Sequence, residues 1–494
     1  MTAHRPMSAQ DSLWLTMDRP NNLMVIDGVM LLRGQPAWDD LMAVLRERVV
    51  QRFPVFGSRA ERVDGDVWAW VPDENFDVDR HVRRAQLPEP ARIDQLQEFV
   101  AEGRSMPLDR SRPLWELAFV ERVVLDDGSV GSALVCRFHH AMADGVRLTM
   151  VMLSLCDTHD PAVAAKVAKG TPTASPLAIA TAAADLGTEM ARDGLRAVNA
   201  VFSGLRDDAA GTIVKGMHLG TELVREPHRL REVLDAFDVR NRVANDVSAV
   251  AKLLFRGRSV DTAWSGKPGQ RKGVAWSAPI SLPAVKAAGK QHGASINDVL
   301  LTAVAGGLRR YLHKAGDTTV EETAWMVPVN LVPIDENLPE DLGNFFAIVM
   351  AVLPLHPADP IERLAVTRHR MGLIKESDEA LLTFGIQRGI SASPRPVSVA
   401  LTDYFANKTV GVLTNVPGPR APMTFADVPV EQVIGFAPCS GDQPMTTTIF
   451  SYADTITIGF AVDTDLIPDP ALLVEGTMAE LDALLESAQI ETPV

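Results

Sequence analysis

The chain has 494 residues, 46% of them hydrophobic and 22% charged; this supplies core for two large or about three ordinary domains and excludes global disorder, collagen and disulfide-stapled miniproteins. Lysine and arginine number 48 against 63 aspartates and glutamates, and the net charge of −15 repels nucleic-acid phosphates and anionic headgroups, so no nucleic-acid partner is expected. The three cysteines, Cys136, Cys156 and Cys439, form no C-x-x-C pair, which argues against a disulfide framework and a cysteine-based zinc site and predicts a reducing, cytoplasmic setting.

The first eighteen residues carry Arg5, Asp11 and Asp18 and no apolar stretch of the kind a secretory signal needs. No run of about 18 uncharged apolar residues occurs, so any membrane contact is expected to be peripheral. Leu41, Val44, Leu45 and Val49 predict a helix over 37–52, and Leu96, Phe99 and Val100 another over 93–101. Loosely alternating stretches at 115–125 and 132–140 flank Asp126-Asp127-Gly128, which predicts a β-hairpin. Residues 175–255 are alanine-rich, with few turn signals and balanced charge, and read as several helices. Residues 257–273, rich in glycine, lysine and arginine, read as an exposed crossing. Ser295-Ile296-Asn297-Asp298 resembles a capping box, followed by one apolar helical stripe through Leu312. Strands are expected at 323–331, 346–353, 409–413, 433–436, 446–451 and 456–462, the last two joined as a hairpin. The expected organisation is an N-terminal domain over 1–170, a helical crossover over 171–273 and a C-terminal domain over 274–494.

The sharpest local signal is Phe138-His139-His140-Ala141-Met142-Ala143-Asp144-Gly145, where a predicted strand runs into a turn. Alternate strand side chains share a face, so Leu134, Cys136, Phe138 and His140 point one way and Arg137 and His139 the other. A neutral imidazole aimed into a cavity accepts a proton at neutral pH, which makes His140 the best general-base candidate; a satisfied core histidine is the alternative. Asp144 is expected to cap a helix at 146–155 and hold the loop, and Gly145 to permit a tight conformation. Adjacent strand histidines face opposite ways and do not readily share one ion, so no metal site is expected. There is no G-x-S-x-G, no G-x-x-x-x-G-K-[ST] and no G-x-G-x-x-G after a strand, which weakens the serine hydrolase, nucleotide hydrolase and dinucleotide-binding readings.

His139 to Gly145 matches the form HHxxxDG, and the chain resembles the bacterial wax ester synthase/diacylglycerol acyltransferase family. Pro113-Leu114-Trp115, Asn297-Asp298 and Asn415-Val416-Pro417-Gly418-Pro419 resemble its PLW, ND and NVPGP elements in the family's order. Leu342-Gly343-Asn344 and Ser440-Gly441 are lesser markers. HHxxxDG alone is shared with condensation domains; its combination with NVPGP is more specific. The resemblance implies an α+β fold of two chloramphenicol-acetyltransferase-like domains joined by a helical crossover, with a tunnel between them. It implies acyl-CoA as co-substrate, no bound cofactor, and a long-chain alcohol or diacylglycerol as acceptor, with His140 taking the hydroxyl proton. Asn297 would be an oxyanion or positioning donor, or else a first-turn residue bonded locally; for Asp298 the cap is favoured. Trp115 and Asn415 are supporting positions, Trp115 as an anchor for a tunnel wall. Near the N-terminus Asn22-Leu23-Met24 departs from the family's proline-methionine-histidine run. The alternatives are a condensation-type enzyme taking a carrier-protein thioester and a catalytically idle droplet-surface protein. The helices at 175–255 would touch the inner membrane or a lipid droplet, or serve as a soluble strap.

Overall fold

Two seven-stranded sheets organise the protein, each with helices packed on it. The computed structural model describes residues 4–63, 67–158, 261–330, 338–375 and 393–488, with positions 383, 387 and 389–391. The helices expected at 175–255, and most of the 171–273 crossover, lie outside the described residues. No described helix is long and apolar enough to cross a membrane.

The predicted hairpin forms as Trp115–Val124 and Val130–His139, and Val25–Leu32 adds antiparallel to its second strand, pairing Val25 with His139 and Gly28 with Cys136. Strand parity holds: Leu134, Cys136 and Phe138 enter one core with Met30 and Met152, while Ala133 and Val135 enter another with Leu96 and Val100 of the helix Ile93–Arg104. The helix Gly145–Ser154 lies against Val25–Leu32 at Gly28, where an added Cβ would collide with the Met152 sulfur. The helix predicted at 37–52 is α-helical over Trp38–Leu45 and widens to a π-turn over Arg46–Val50.

The second sheet runs in the order Ile280–Ser281, Thr455–Asp463, Met445–Tyr452, Gly411–Pro417, Glu322–Asn330, Phe346–Pro354. Ile296–Lys314 and Ala471–Ser487 pack on it, burying Val299, Val304, Leu308, Leu481 and Leu484. Two strands cross the expected boundaries. Val428–Phe436, late in the chain, pairs with Val25–Leu32 and so belongs to the first sheet. Lys272–Trp276 pairs with Thr455–Asp463 in the second. The stretch read as an exposed crossing is therefore partly built in: Trp264 is 1% exposed, and Lys272 Nζ sits 2.7 Å from the buried Asp463 carboxylate. A shared core of Val29, Leu31, Trp276, Ile434 and Phe436 ties the halves together.

Candidate active site

His140 sits one residue past the end of the strand Val130–His139, where its N–H donates to the Met24 carbonyl at 2.7 Å. The chain then turns into the helix Gly145–Ser154, capped by Asp144 as the sequence predicts: one carboxylate oxygen accepts the Arg147 N–H at 2.9 Å. The other oxygen accepts the Phe345 N–H at 3.0 Å, and the Asp144 N–H donates to the Gly343 carbonyl at 3.2 Å. Gly343 has a φ of 59°, which suits glycine, and lets its segment fold back onto the loop. Burial pushes the Asp144 carboxyl up, and the Arg147 and Phe345 N–H groups pull it back.

The two histidines diverge. His139 Nδ1 accepts the Ala141 N–H at 3.1 Å, and its Nε2 lies 3.7 Å from Asp18 Oδ2, a carboxylate also held by Arg110 at 2.9 Å and by the Met24 N–H at 2.7 Å. The His140 ring stacks on Trp14, with centroids 4.0 Å apart and planes 19° from parallel. Its Nδ1 is sealed from solvent and unpaired, which leaves Nε2 as the nitrogen open to the cavity. Burial pushes the His140 pKa down to about 4, so the ring is neutral at physiological pH and carries a free lone pair.

That cavity holds about 220 Å³ and is bounded by both halves of the chain. Trp14, Ile26 and Val146 come from the first, Phe346, Ile348 and Phe450 from the second, and Thr414, Asn415, Thr448 and Ser440 add a polar margin. A buried neutral base facing an apolar space drawn from both halves can take a proton from a hydroxyl.

Residues 7–300 match the model of the wax ester synthase/diacylglycerol acyltransferase catalytic domain, and residues 342–485 that of the WS/DGAT C-terminal domain. The chain belongs to this family. It is an O-acyltransferase by that membership. The chain is 29% identical over 438 residues to a Mycobacterium tuberculosis protein provisionally named a diacylglycerol O-acyltransferase, covering 85% of this chain and 83% of that one. It is 22% identical to the O-acyltransferase WSD of Acinetobacter baylyi, over 94% of this chain and 93% of that protein. The solved wax ester synthase/diacylglycerol acyltransferase of Marinobacter aquaeolei VT8 superposes with a TM-score of 0.66 at 21% identity, covering 98% of this chain and 100% of that one. The first condensation domain of the calcium-dependent antibiotic synthetase superposes at 0.54 with 14% identity, covering 100% and 98%. The expected α+β architecture of two related halves is the fold of these acyltransferases.

The remaining motif residues of the acyltransferase divide. Asn415 lines the cavity, and its Nδ2 donates to Asn297 Oδ1 at 2.8 Å. Asn297 therefore joins its helix to the strand Gly411–Pro417, where local first-turn bonds were the alternative to a donor role. Asp298 completes the capping box, with Oδ2 accepting from the Ser295 N–H at 2.9 Å and from the hydroxyl at 2.7 Å. Trp115 does not line the cavity: it is 2% exposed, stacks on His81 at 4.6 Å and donates to the Phe56 carbonyl at 2.8 Å, so it anchors the core beneath the site. Gly145 has no left-handed backbone, contrary to the tight conformation expected of it. A Cβ there meets only Ile26, at 3.9 Å, and glycine instead keeps this stretch of cavity wall open.

Residue-by-residue reading did not find Trp14, Asp11 or Phe346, and took Asn344 only as a family marker. The helix Ala9–Met17 that carries Asp11 and Trp14 does announce itself in the sequence, since its N-cap Ser8 accepts the Asp11 N–H at 3.0 Å. Its packing against His140 is a tertiary contact with no local signature.

Proposed function

We propose that the protein transfers a fatty acyl group from acyl-CoA to the hydroxyl of a long-chain alcohol or diacylglycerol, giving wax ester or triacylglycerol, with His140 as general base. The observation that carries this is the buried His140 ring on the wall of an apolar cavity formed by both halves, with its Nδ1 sealed away from solvent. Nε2 takes the hydroxyl proton, the oxygen attacks the thioester carbonyl, and collapse of the tetrahedral adduct expels the CoA thiolate, which regains the proton from the imidazolium. Apolar walls such as Ile348 and Phe450 suit alkyl chains, and Thr414, Thr448 and Asn415 are polar groups on the wall that could meet the reacting carbonyl. The substrates are barely soluble, so a seat on the cytoplasmic face of the inner membrane or on a lipid droplet would bring the enzyme to them.

The test uses purified protein with palmitoyl-CoA and, separately, hexadecanol or dioleoylglycerol, with products resolved by chromatography. Ester formed from acyl-CoA alone supports the reading. Transfer that requires a phosphopantetheinylated carrier, or no turnover with any acceptor, overturns it.

A further inference from the structure

Asn344 is 6% exposed, and its Nδ2 donates to Asp11 Oδ1 at 2.7 Å and to the His140 carbonyl at 3.0 Å. Both partners are acceptors, so the amide has one chemically sensible orientation, with NH2 toward them. The oxygen at the other end, Asn344 Oδ1, is then left buried without a hydrogen-bond partner, as is Nδ1 of the His140 ring on which the Asn344 side chain acts. The two orphans satisfy each other only if the imidazole proton is on Nδ1. With the proton on Nε2, the Nδ1 lone pair would face the Asn344 oxygen and the residue's own carbonyl, acceptors against an acceptor.

We infer that Asn344, oriented by Asp11, is a positioning residue that holds the neutral His140 ring as its Nδ1–H tautomer, with the Nε2 lone pair presented to the cavity. This rests on the reading of His140 as the general base. The stacking of Trp14 fixes the plane of the ring, and the Asn344 oxygen adds to the residue's own carbonyl in favouring the proton on Nδ1. Consistent with this, the His140 carbonyl and the Asn344 side chain both favour a proton on the ring, against the larger effect of burial. The titratable groups around the unit are Asp11 itself, Arg5 and Arg147 on the Asp11 side, and the neighbouring His139, whose pKa burial also lowers. A buried carboxylate accounts for the amide's orientation where a neutral acceptor would bind it less firmly, because bonds to ionised acceptors are the stronger ones. Asp11 has no place on the catalytic path; its influence on the base passes through Asn344.

Nitrogen-15 NMR of histidine-labelled protein at pH 7 reads the tautomer directly, the His140 signals being those lost in His140→Ala. In the wild type, Nδ1 should be the protonated nitrogen and Nε2 the bare one. Asn344→Leu, close in size and without an acceptor, should shift the ring toward the Nε2–H form and lower kcat about ten- to a hundredfold, below the full contribution of a general base, with KM within about twofold. Asp11→Asn keeps an acceptor for the amide and should retain the tautomer and most activity, whereas Asp11→Leu should lose part of both. A wild-type ring protonated on Nε2, or an Asn344→Leu variant with unchanged tautomer and kcat, overturns the inference. If Asn344→Leu does not fold, the contrast between Asp11→Leu and Asp11→Asn decides in the same way. An active His140→Ala variant would instead sink the general-base reading, while the tautomer measurement would still judge the Asn344 contact.

Discussion

Asp144 and Phe345 lie 201 residues apart in the chain and are joined by a 3.0 Å bond from the Phe345 N–H to the Asp144 carboxylate, whose second oxygen caps the helix Gly145–Ser154. One buried side chain thus fixes the motif loop to its own half of the chain and to the other. Asp144→Ala removes a helix cap, at a cost of about 0.5–2 kcal/mol, and strands a backbone N–H, at about 1–3 kcal/mol. A combined loss of roughly 2–4 kcal/mol is expected in urea denaturation, with activity falling alongside because the cavity wall and His140 share that loop. Full stability with a pure rate defect would refute this role.

The divergence of the two histidines predicts unequal losses. His140→Ala should lower acyl transfer at least about a hundredfold in a folded protein, as removal of a general base does. His139→Ala should cost less rate and more stability, because its ring accepts the Ala141 N–H and faces Asp18 and does not line the cavity. Steady-state kinetics and thermal denaturation of both variants check this; equal rate losses in equally stable proteins would contradict the assignment of the base to His140.

Acid should inactivate the enzyme late. An ordinary histidine base gives an acid limb near pH 6.5, but burial holds His140 near 4, so kcat/KM should stay flat from pH 7 to about 5.5. The same shift links to stability with a definite sign. The unfolded ring binds its proton below about pH 6.5 while the native ring stays neutral down to about 4, so the native state loses stability as pH falls through that window, by about 3 kcal/mol from this group alone. His140→Phe should therefore show a shallower decline of unfolding free energy between pH 6.5 and 4 than the wild type. Parallel declines would place the ring's pKa near its ordinary value.

What the sequence displayed was what neighbouring residues decide among themselves. The Asp-Asp-Gly turn and alternating flanks specify the hairpin carrying His140, and Ser295 with Asp298 writes its own helix start. Strand parity was enough to place Cys136 in one core and Arg137 on the other face, beside Asp27. The contacts that make a site of His140 are of another kind. Trp14 reaches it from a helix near the N-terminus, Asn344 and Phe346 reach it from the second half, and Val428–Phe436 crosses into the first sheet. No spacing rule relates residues hundreds of positions apart, so the candidate base was legible and its surroundings were not. Gly145 shows the converse error: a glycine invites a backbone explanation, while here its value is an absent side chain beside a cavity.

Cys136 tests whether the acyl group passes directly between substrates. It lies on the His140 side of its strand, so a covalent acyl-cysteine relay is the obvious rival to direct transfer. The surroundings argue against it: the thiol is 1% exposed, packed with Met30 and Phe138 beneath the strand, absent from the cavity wall, and pushed by burial up to about 12. A thiol held so far above neutral has almost no thiolate to attack with. Cys136→Ala should retain most activity, at the cost of a small cavity in the core, and iodoacetamide should leave the native enzyme active. Direct transfer needs both substrates bound together, so initial-velocity plots against acyl-CoA at several alcohol concentrations should intersect; parallel lines with an acyl group trapped on cysteine would replace the general-base mechanism with a two-step one.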